Sequence, residues 1–318
     1  MKLSITQRTA ACARAGTLAC LLAILVAGPS AFGMTIVLTY DASVLASPNA
    51  ALIQSATAYA AQQMQLAYAD PITININVVD RAGTNVLANS TTSLTGPFTY
   101  AQVRTALIAD AKSATDTSAT ASLGATDPTS GSYWMPQAQA KAIGLFPANN
   151  AATDGTFTFG DGYAYTFDPN NRAVAGQYDF IALAEREISE IMGRYALLGV
   201  QFGAKAGYTP YDLFRYTAPG LRRMTAGGTN PAFSIDGGVT RPKVFNSTAG
   251  ADLQDWAAGT NDAFNAIYST GVLNDFSAVD QTVMDAIGYD PAPVPEPVTL
   301  ALLGAGAVGL VIWPRRSR

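Results

Sequence analysis

Alternation of apolar and polar residues predicts strands and helices through the middle of the chain, residues 34–290. Residues 72–78 alternate strictly, which is the period of a half-buried strand, and the β-branched run at 35–38 predicts another. The Ala- and Gln-rich segment 49–68 predicts a helix, and a second helix is expected over 100–113. Strands and helices therefore follow one another from the first residues of this region.

The next segments complete a mixed pattern. Thr99 precedes the second helix and is a candidate N-cap, whereas residues 113–132 lack periodicity and predict a loop. Residues 156–167 hold two aromatic alternating runs around Gly160-Asp161-Gly162, which predicts a β-hairpin. This order indicates an α+β fold, or alternatively α/β, in one globular domain over 34–290.

The segment 179–198 has the strongest helical periodicity. Its apolar residues share one face at spacings of three and four: Ile181, Ala184, Ile188, Ile191, Tyr195 and Leu198. Arg186, Glu187 and Glu190 lie on the polar side. Composition alone favours a solvated polar face, with ion pairs between Arg186 and Glu190 and between Glu190 and Arg194.

Composition excludes several classes of protein. Of the 318 residues 49% are hydrophobic and 13% are charged, which excludes a charge-rich disordered chain. The formal net charge of −4 argues against nucleic-acid binding. The chain contains no histidine, so it cannot build a Ser-His-Asp triad, a Cys-His pair or a three-histidine zinc site.

The first 33 residues have the layout of a secretory signal peptide. Lys2, Arg8 and Arg14 precede an apolar run over 17–27, and small residues follow near a cleavage point at Gly33. Eleven apolar residues are too few to span a bilayer, so a retained anchor is the weaker interpretation. The sequence therefore predicts export by the Sec machinery. Both cysteines of the chain lie in this segment, so the exported form is expected to have no disulfide.

Residues 291–318 form a second targeting segment. The triplet Pro295-Glu296-Pro297 precedes an uncharged, Gly-containing stretch over 298–313, and three arginines end the chain. This order resembles the PEP-CTERM sorting tail of Gram-negative bacteria. The resemblance implies a short transmembrane segment at 298–313, transient anchoring in the inner membrane, and cleavage by an exosortase near the triplet. A plain C-terminal anchor is the alternative.

The polar side of the long helix follows the spacing of a zincin active-site helix. Such a helix carries a ligand histidine, an adjacent glutamate as general base, and a second ligand four residues after the first. Here Glu187, Glu190 and Gly193 stand at the base, second-ligand and glycine positions. Arg186 stands where the first histidine is expected, and Ala196 stands where a metzincin has its third histidine.

The helix resembles a family of bacterial PEP-CTERM-tailed zinc metalloproteases whose helix reads His-Glu-x-Ser-Glu-x-x-Gly-Arg. The likeness extends to six further segments: 167–172, 178–180, 212–220, 233–238, 252–256 and 278–289. It implies a zincin-like domain with a mixed sheet, a hairpin and a long active-site helix, acting on a protein or peptide substrate. Glu187 is then the candidate catalytic base, and Glu190 and Asp212 are the candidate metal ligands. Ser277 and Asp280 predict a capping box at the last helix.

Arg186 separates this chain from the family, because a guanidinium has no lone pair for zinc and repels the ion. We therefore expect an exported metallopeptidase-like protein with impaired catalysis at the cell surface or in the extracellular matrix. Zinc is implied by the resemblance only, and no cofactor is expected. One alternative is an active metalloendopeptidase with oxygen ligands and Glu187 as base. The other is a non-enzymatic structural protein. Arg186 itself is expected to replace the metal as the partner of the carboxylates.

Overall fold

A computed structural model describes residues 33–227, 230–248 and 252–293, which form a mixture of helices and sheets. The strands are β1 Thr35–Tyr40, β2 Thr73–Arg81, β3 Ala88–Thr92, β4 Leu94–Phe98, β5 Ser132–Pro136, β6 Gly155–Gly160, β7 Tyr165–Thr166, β8 Tyr178–Asp179, β9 Val200–Phe202, β10 Lys205–Tyr208, β11 Arg215–Ala218, β12 Leu221–Arg222 and β13 Ala232–Phe233. The helices are α1 Ala42–Ala46, α2 Ala50–Ala67, α3 Tyr100–Asp110, α4 Ala114–Ser122, α5 Gln137–Ala142, α6 Phe180–Met192 and α7 Ala278–Ala286, with a 3₁₀ turn at Tyr211–Phe214. The predicted α+β class is confirmed.

The central sheet has the strand order β1-β2-β6-β3. Strands β1, β2 and β6 run parallel, and β3 pairs antiparallel with β6. Ile74, Ile76 and Val78 of β2 alternate with partly exposed residues and are completely buried. Each such side chain stabilises the fold by about 1.5–3 kcal/mol. Helices α2 and α6 contact each other and the strands of this sheet, so the main core lies between the helices and the strands.

Three smaller sheets surround this core. Strands β4-β5-β10-β9 form a mixed sheet, β12-β11-β13 an antiparallel one, and β7-β8 a parallel pair. The chain between β13 and α7 has little regular structure but contains the buried Trp256 and Phe264. This segment contacts the chain just after α6, where the guanidinium carbon of Arg194 lies 4.2 Å from the ring centre of Phe264.

Most local expectations are confirmed. Strands β1 and β2 and helices α2 and α3 occupy the predicted segments. Thr99 caps α3 by accepting a hydrogen bond from Gln102, and Ser277 and Asp280 form the predicted capping box of α7. These elements follow from short-range periodicity and capping chemistry, which the sequence displays directly.

The predicted loop over 113–132 is wrong, because it contains helix α4. Ser113 and Asp116 form a capping box, which satisfies backbone N–H groups at the start of the helix. Asp116 and Ala119 are buried, and α4 packs against α7. Tertiary contact and a cap therefore stabilise a helix that lacks a clear apolar face.

The predicted hairpin over 156–167 is also wrong. Strand β6 lies between β2 and β3, so neither of its edges is free to accept β7. The turn after β6 bonds elsewhere, since Asp161 N donates to Arg81 O and Gly162 N donates to Gly83 O. Strand β7 pairs instead with β8. The alternating pattern identified the strands correctly, but their partners come from distant parts of the chain.

The targeting segments lie almost wholly outside the described residues. This applies to the predicted signal peptide at 1–33 and to the predicted membrane segment at 298–313. Within the described ranges no helix is both long enough and apolar enough to cross a membrane.

The last described segment is attached to the end of α2 by backbone and carboxyl groups. Ala69 N donates to Asp290 O at 2.8 Å, and Asp290 N donates to Asp70 Oδ2 at 3.0 Å. Burial and the neighbouring Asp290 and Asp110 raise the pKa of Asp70 to about 8. Burial and Asp290 likewise raise the pKa of Asp110 to about 7. The fold therefore favours the protonated form of both carboxyl groups, compared with the unfolded chain.

We predict that Asp70→Asn stabilises the protein in alkaline solution. The folded-state pKa of Asp70 is raised, so its contribution to stability is present at low pH and is lost as pH rises towards 8. The amide keeps an acceptor for Asp290 N and cannot ionise. At about pH 9 the variant should be on the order of 1–3 kcal/mol more stable than the parent, and at about pH 4 the two should agree. Chemical denaturation across this range measures the difference, and a constant offset at every pH would contradict the assignment.

Candidate functional site

Helix α6 is fixed at both ends by local chemistry. Asp179 caps it by accepting from Ala182 N at 3.2 Å, and Arg172 Nε holds the same carboxylate at 2.9 Å. Gly193 ends it with a φ of 133°, and a Cβ there would lie 2.9 Å from Gln139 Cβ. The helix therefore ends at Met192, six residues before the end of the predicted segment 179–198.

The polar side of α6 is buried, so the expectation of a solvated face is wrong. Every residue of the helix is buried, and Arg186, Glu187 and Glu190 are 7%, 0% and 3% exposed. Both predicted ion pairs are present: Glu190 Oε1 lies 3.6 Å from Arg186 Nη2 and 3.1 Å from Arg194 Nη2. These charged groups have lost their hydration by water, and the ion pairs compensate for that loss. Removing one partner of a pair therefore destabilises the fold strongly.

Arg186 is surrounded by four carboxyl groups. Its Nη1 lies 2.6 Å from Glu187 Oε1, and its Nη2 lies 2.8 Å from Asp252 Oδ2 and 2.5 Å from Asp255 Oδ2. Glu190 is the fourth, at the distance given above. A guanidinium offers five N–H donors in a plane, which suits several carboxylates at once.

Arg194 supports the same carboxylates from the end of the helix. It is completely buried, and it donates to Asp255 Oδ1 at 2.7 Å and to Ser189 Oγ at 2.9 Å. Asp255 thus binds Arg186 with one oxygen and Arg194 with the other. We call Arg186, Arg194, Glu187, Glu190, Asp252 and Asp255 the arginine–carboxylate cluster.

Glu187 is the least satisfied member of the cluster. Its Oε2 is buried and has no hydrogen-bond partner among the described residues. Its pKa lies well above the ordinary value, because burial and the charges of Glu190 and Asp255 outweigh the attraction of Arg186. Two guanidinium charges face four carboxyl groups, so a proton on Glu187 reduces the excess of negative charge. A carboxyl held neutral in this way is a poor general base at neutral pH.

Asp212, a predicted metal ligand, does not lie with the carboxylates of the arginine–carboxylate cluster. Asp212 Oδ2 accepts hydrogen bonds from Leu197 N, Leu198 N and Thr209 N at 2.9–3.1 Å. It is completely buried and fixes the loop that follows α6. Among the described residues, the carboxylates with oxygens within 4.8 Å of one another are Glu190, Asp252 and Asp255.

These carboxylates form a group that could hold a cation, but their surroundings do not fit a catalytic zinc. The donors are all oxygen, which favours Ca²⁺ or Mg²⁺ over zinc. The guanidinium groups of Arg186 and Arg194 already donate to oxygens of this group. A divalent ion would have to displace them or lie beside their positive charge.

Sequence reasoning missed the roles of Asp252 and Asp255, and it found only the Glu190 contact of Arg194 and not the one with Asp255. Asp252 and Asp255 lie in a segment that resembles the metalloprotease family, so their position was a usable signal. The two acidic residues also lie three apart beside Trp256. What the sequence alone could not supply was a contact with Arg186, which is more than sixty residues away.

The comparisons with known proteins bear on the tail alone. Residues 293–316 match the PEP-CTERM protein-sorting motif. The chain ends in a PEP-CTERM sorting tail. It marks an exported protein that is processed by an exosortase and sorted to the cell surface or extracellular space. No curated protein and no solved structure matches the chain. The resemblance to zinc metalloproteases takes no support from these comparisons.

We predict that Arg186→Ala destabilises the protein by about 3–5 kcal/mol, because it leaves several carboxyl groups buried without their main cation. Arg81→Ala is the matched control, since Arg81 is exposed and should change stability by about 0.5 kcal/mol or less. Urea denaturation measures both variants. Equal effects would show that Arg186 contributes no more than a surface arginine.

A pair of isosteric substitutions separates the neutral from the ionised members of the cluster. Glu187→Gln should cost about 1 kcal/mol or less near pH 7, because a neutral amide replaces a neutral carboxyl. Asp255→Asn should cost about 3 kcal/mol, because its NH₂ group would face a guanidinium donor in place of an acceptor. Denaturation midpoints of the two variants test whether Glu187→Gln is the milder change. A larger loss in Glu187→Gln than in Asp255→Asn would show that Glu187 is not the protonated member of the cluster.

Proposed function

We propose that this exported protein is a non-catalytic component of the cell surface or extracellular matrix. Its metallopeptidase-like helix carries an arginine in place of a metal ion. The observation that supports the proposal is the position of the Arg186 guanidinium among Glu187, Glu190, Asp252 and Asp255. Export and sorting follow from the PEP-CTERM tail. The loss of catalytic activity is our proposal.

The charge of Arg186 supports this role. In the zincin arrangement a divalent ion neutralises the carboxylate ligands beside the general base. Here a permanently charged guanidinium contacts the carboxylates, and Arg194 adds a second positive charge. A cluster satisfied in this way is stable without a metal.

The state of Glu187 supports the loss of catalysis. A general base must be ionised near the working pH and must reach the attacking water. Glu187 is completely buried, its pKa is raised, and one of its oxygens contacts Arg186. Asp252 is the cluster member with a largely exposed side chain, at 58%. Solvent therefore reaches the cluster at Asp252 and not at the residue that catalysis would need.

The alternative is an active metalloendopeptidase with oxygen ligands and Glu187 as base. One observation favours it: oxygens of Glu190, Asp252 and Asp255 lie within 4.8 Å of one another. Such a site would need the two arginines to turn away when the ion binds. The protein would then carry a metal in stoichiometric amount and would lose peptidase activity in Glu187→Gln.

We predict that the exported protein, purified without chelators, contains well under one equivalent of zinc, calcium or magnesium by elemental analysis. Arg186→His removes the guanidinium and adds a nitrogen ligand beside Glu190, so this variant should bind zinc in equilibrium dialysis. Arg81→His, with its histidine on the surface, is the matched control and should bind no more zinc than the parent. Stoichiometric metal in the parent, with peptidase activity that depends on Glu187, would establish the alternative. Failure of Arg186→His to gain zinc would show that the carboxylates do not form a vacated metal site.

A further inference from the structure

A second acidic site lies away from the arginine–carboxylate cluster and shares no residue with it. It is a surface cavity of about 300 Å³ at the carboxyl ends of the parallel strands β2 and β6. Asp80 lies near the end of β2 and Asp161 directly follows β6, and both line the cavity. In sheets with parallel strands, ligands bind preferentially beyond the carboxyl ends of the strands.

Aromatic rings form one wall of this cavity. Phe159, Tyr163, Tyr165 and Phe167 line it. The ring planes are inclined to one another, by 58° between Tyr163 and Tyr165, 54° between Tyr165 and Phe167, and 86° between Phe159 and Tyr165. Both tyrosine hydroxyls donate to backbone carbonyls, which fixes the rings. Inclined and fixed rings enclose a small group from several sides, whereas a flat platform would need coplanar rings.

The carboxyl groups of the cavity lack a cation from the protein. Asp80 Oδ1 is buried and accepts no hydrogen bond from the described residues. Asp161 Oδ1 accepts from Gly83 N at 2.7 Å. No lysine or arginine is among the residues that line the cavity. Arg81 is next to Asp80 in the strand and is exposed, and its side chain points to the opposite face of the sheet.

Helix α2 begins beside the cavity, where Asn49 and Leu52 line it. The start of a helix carries a partial positive charge of about half an elementary charge. That partial charge is smaller than the two carboxylate charges of Asp80 and Asp161, so the cavity remains negative. Burial and the charge of Asp161 raise the pKa of Asp80, although a hydrogen bond with the Ser47 side chain acts in the opposite direction.

We propose that this cavity binds a primary alkylammonium group, such as that of a lysine side chain or a free diamine. The ammonium donates to the carboxylates of Asp80 and Asp161, and the rings contact the ammonium and its methylene groups. A quaternary ammonium has no N–H to give to Asp80. A metal ion does not suit the cavity, because its carboxylates form no group of three with converging oxygens among the described residues.

The test is isothermal titration of the exported protein with cadaverine, with 1,5-pentanediol as the neutral analogue and tetramethylammonium as the quaternary one. Cadaverine should bind at least about ten times more tightly than either analogue, which corresponds to about 1.4 kcal/mol for the charged hydrogen bond. Binding should weaken with added salt. Pentanediol binding as tightly as cadaverine would overturn the proposal, and so would tetramethylammonium doing so. No binding of cadaverine would also overturn it.

Variants assign the binding to the cavity. Asp80→Asn should weaken cadaverine binding about tenfold or more, and Asp161→Asn should weaken it severalfold. Asp161 is exposed after the end of its strand, so that variant remains informative if Asp80→Asn folds poorly. The matched control is Asp41→Asn, which removes an exposed carboxylate after the end of β1 that does not line the cavity. A loss in Asp41→Asn equal to that in Asp161→Asn would show general electrostatic attraction and overturn the site. Comparison of cadaverine with Nα-acetyl-lysine methylamide then separates a free diamine from a lysine side chain.

Discussion

The constraint that organises this protein is the burial of carboxyl groups on helix α6. An ionised carboxylate cannot leave water without a partner, and α6 is buried on all sides. The partners are therefore inside the fold, where Arg186 and Arg194 hold Glu190 and Asp255. Asp255 belongs to the segment between β13 and α7. This segment must therefore pack against α6 before the charges of Arg186 and Arg194 have all their partners.

Asp255 shows how this constraint determines tertiary structure. Its two oxygens join Arg186 in the middle of α6 to Arg194 beyond the helix end. The neighbouring Trp256 packs against Phe233 and Phe245 and donates its indole N–H to Asp280 at the start of α7. An irregular segment is in this way attached to two helices. Buried ion pairs contribute little net stability when compared with apolar packing, but they tolerate few alternative arrangements.

The sequence predicted elements well and partners poorly, for a physical reason. Periodicity and capping act within a few residues, so α6, its polar side and the capping box at Ser277 were visible. The capping box at Ser113 was missed, because the segment after it has no apolar period and predicted a loop. Burial of the polar side depends on Asp252 and Asp255, which are distant in sequence. The predicted pairing of β7 with β6 was wrong for the same reason. Both edges of β6 pair with β2 and β3, and local periodicity does not reveal this.

Carboxyl groups removed from water, wholly or in part, are accommodated in this chain in three different ways. Glu190 and Asp255 have arginines, and the arrangement is permanent because a guanidinium does not lose its proton. Asp70 has no such cation, so burial and the neighbouring Asp290 and Asp110 raise its pKa to about 8, and the protonated form is favoured. Asp80 lies in a cavity open to solvent, with a buried oxygen that no described residue satisfies. A cation bound in the cavity can balance the charge of this carboxylate, and the surrounding aromatic rings favour an organic cation. The same physical demand thus produces a structural cluster at one site and a binding cavity at another, according to whether the protein supplies the positive charge.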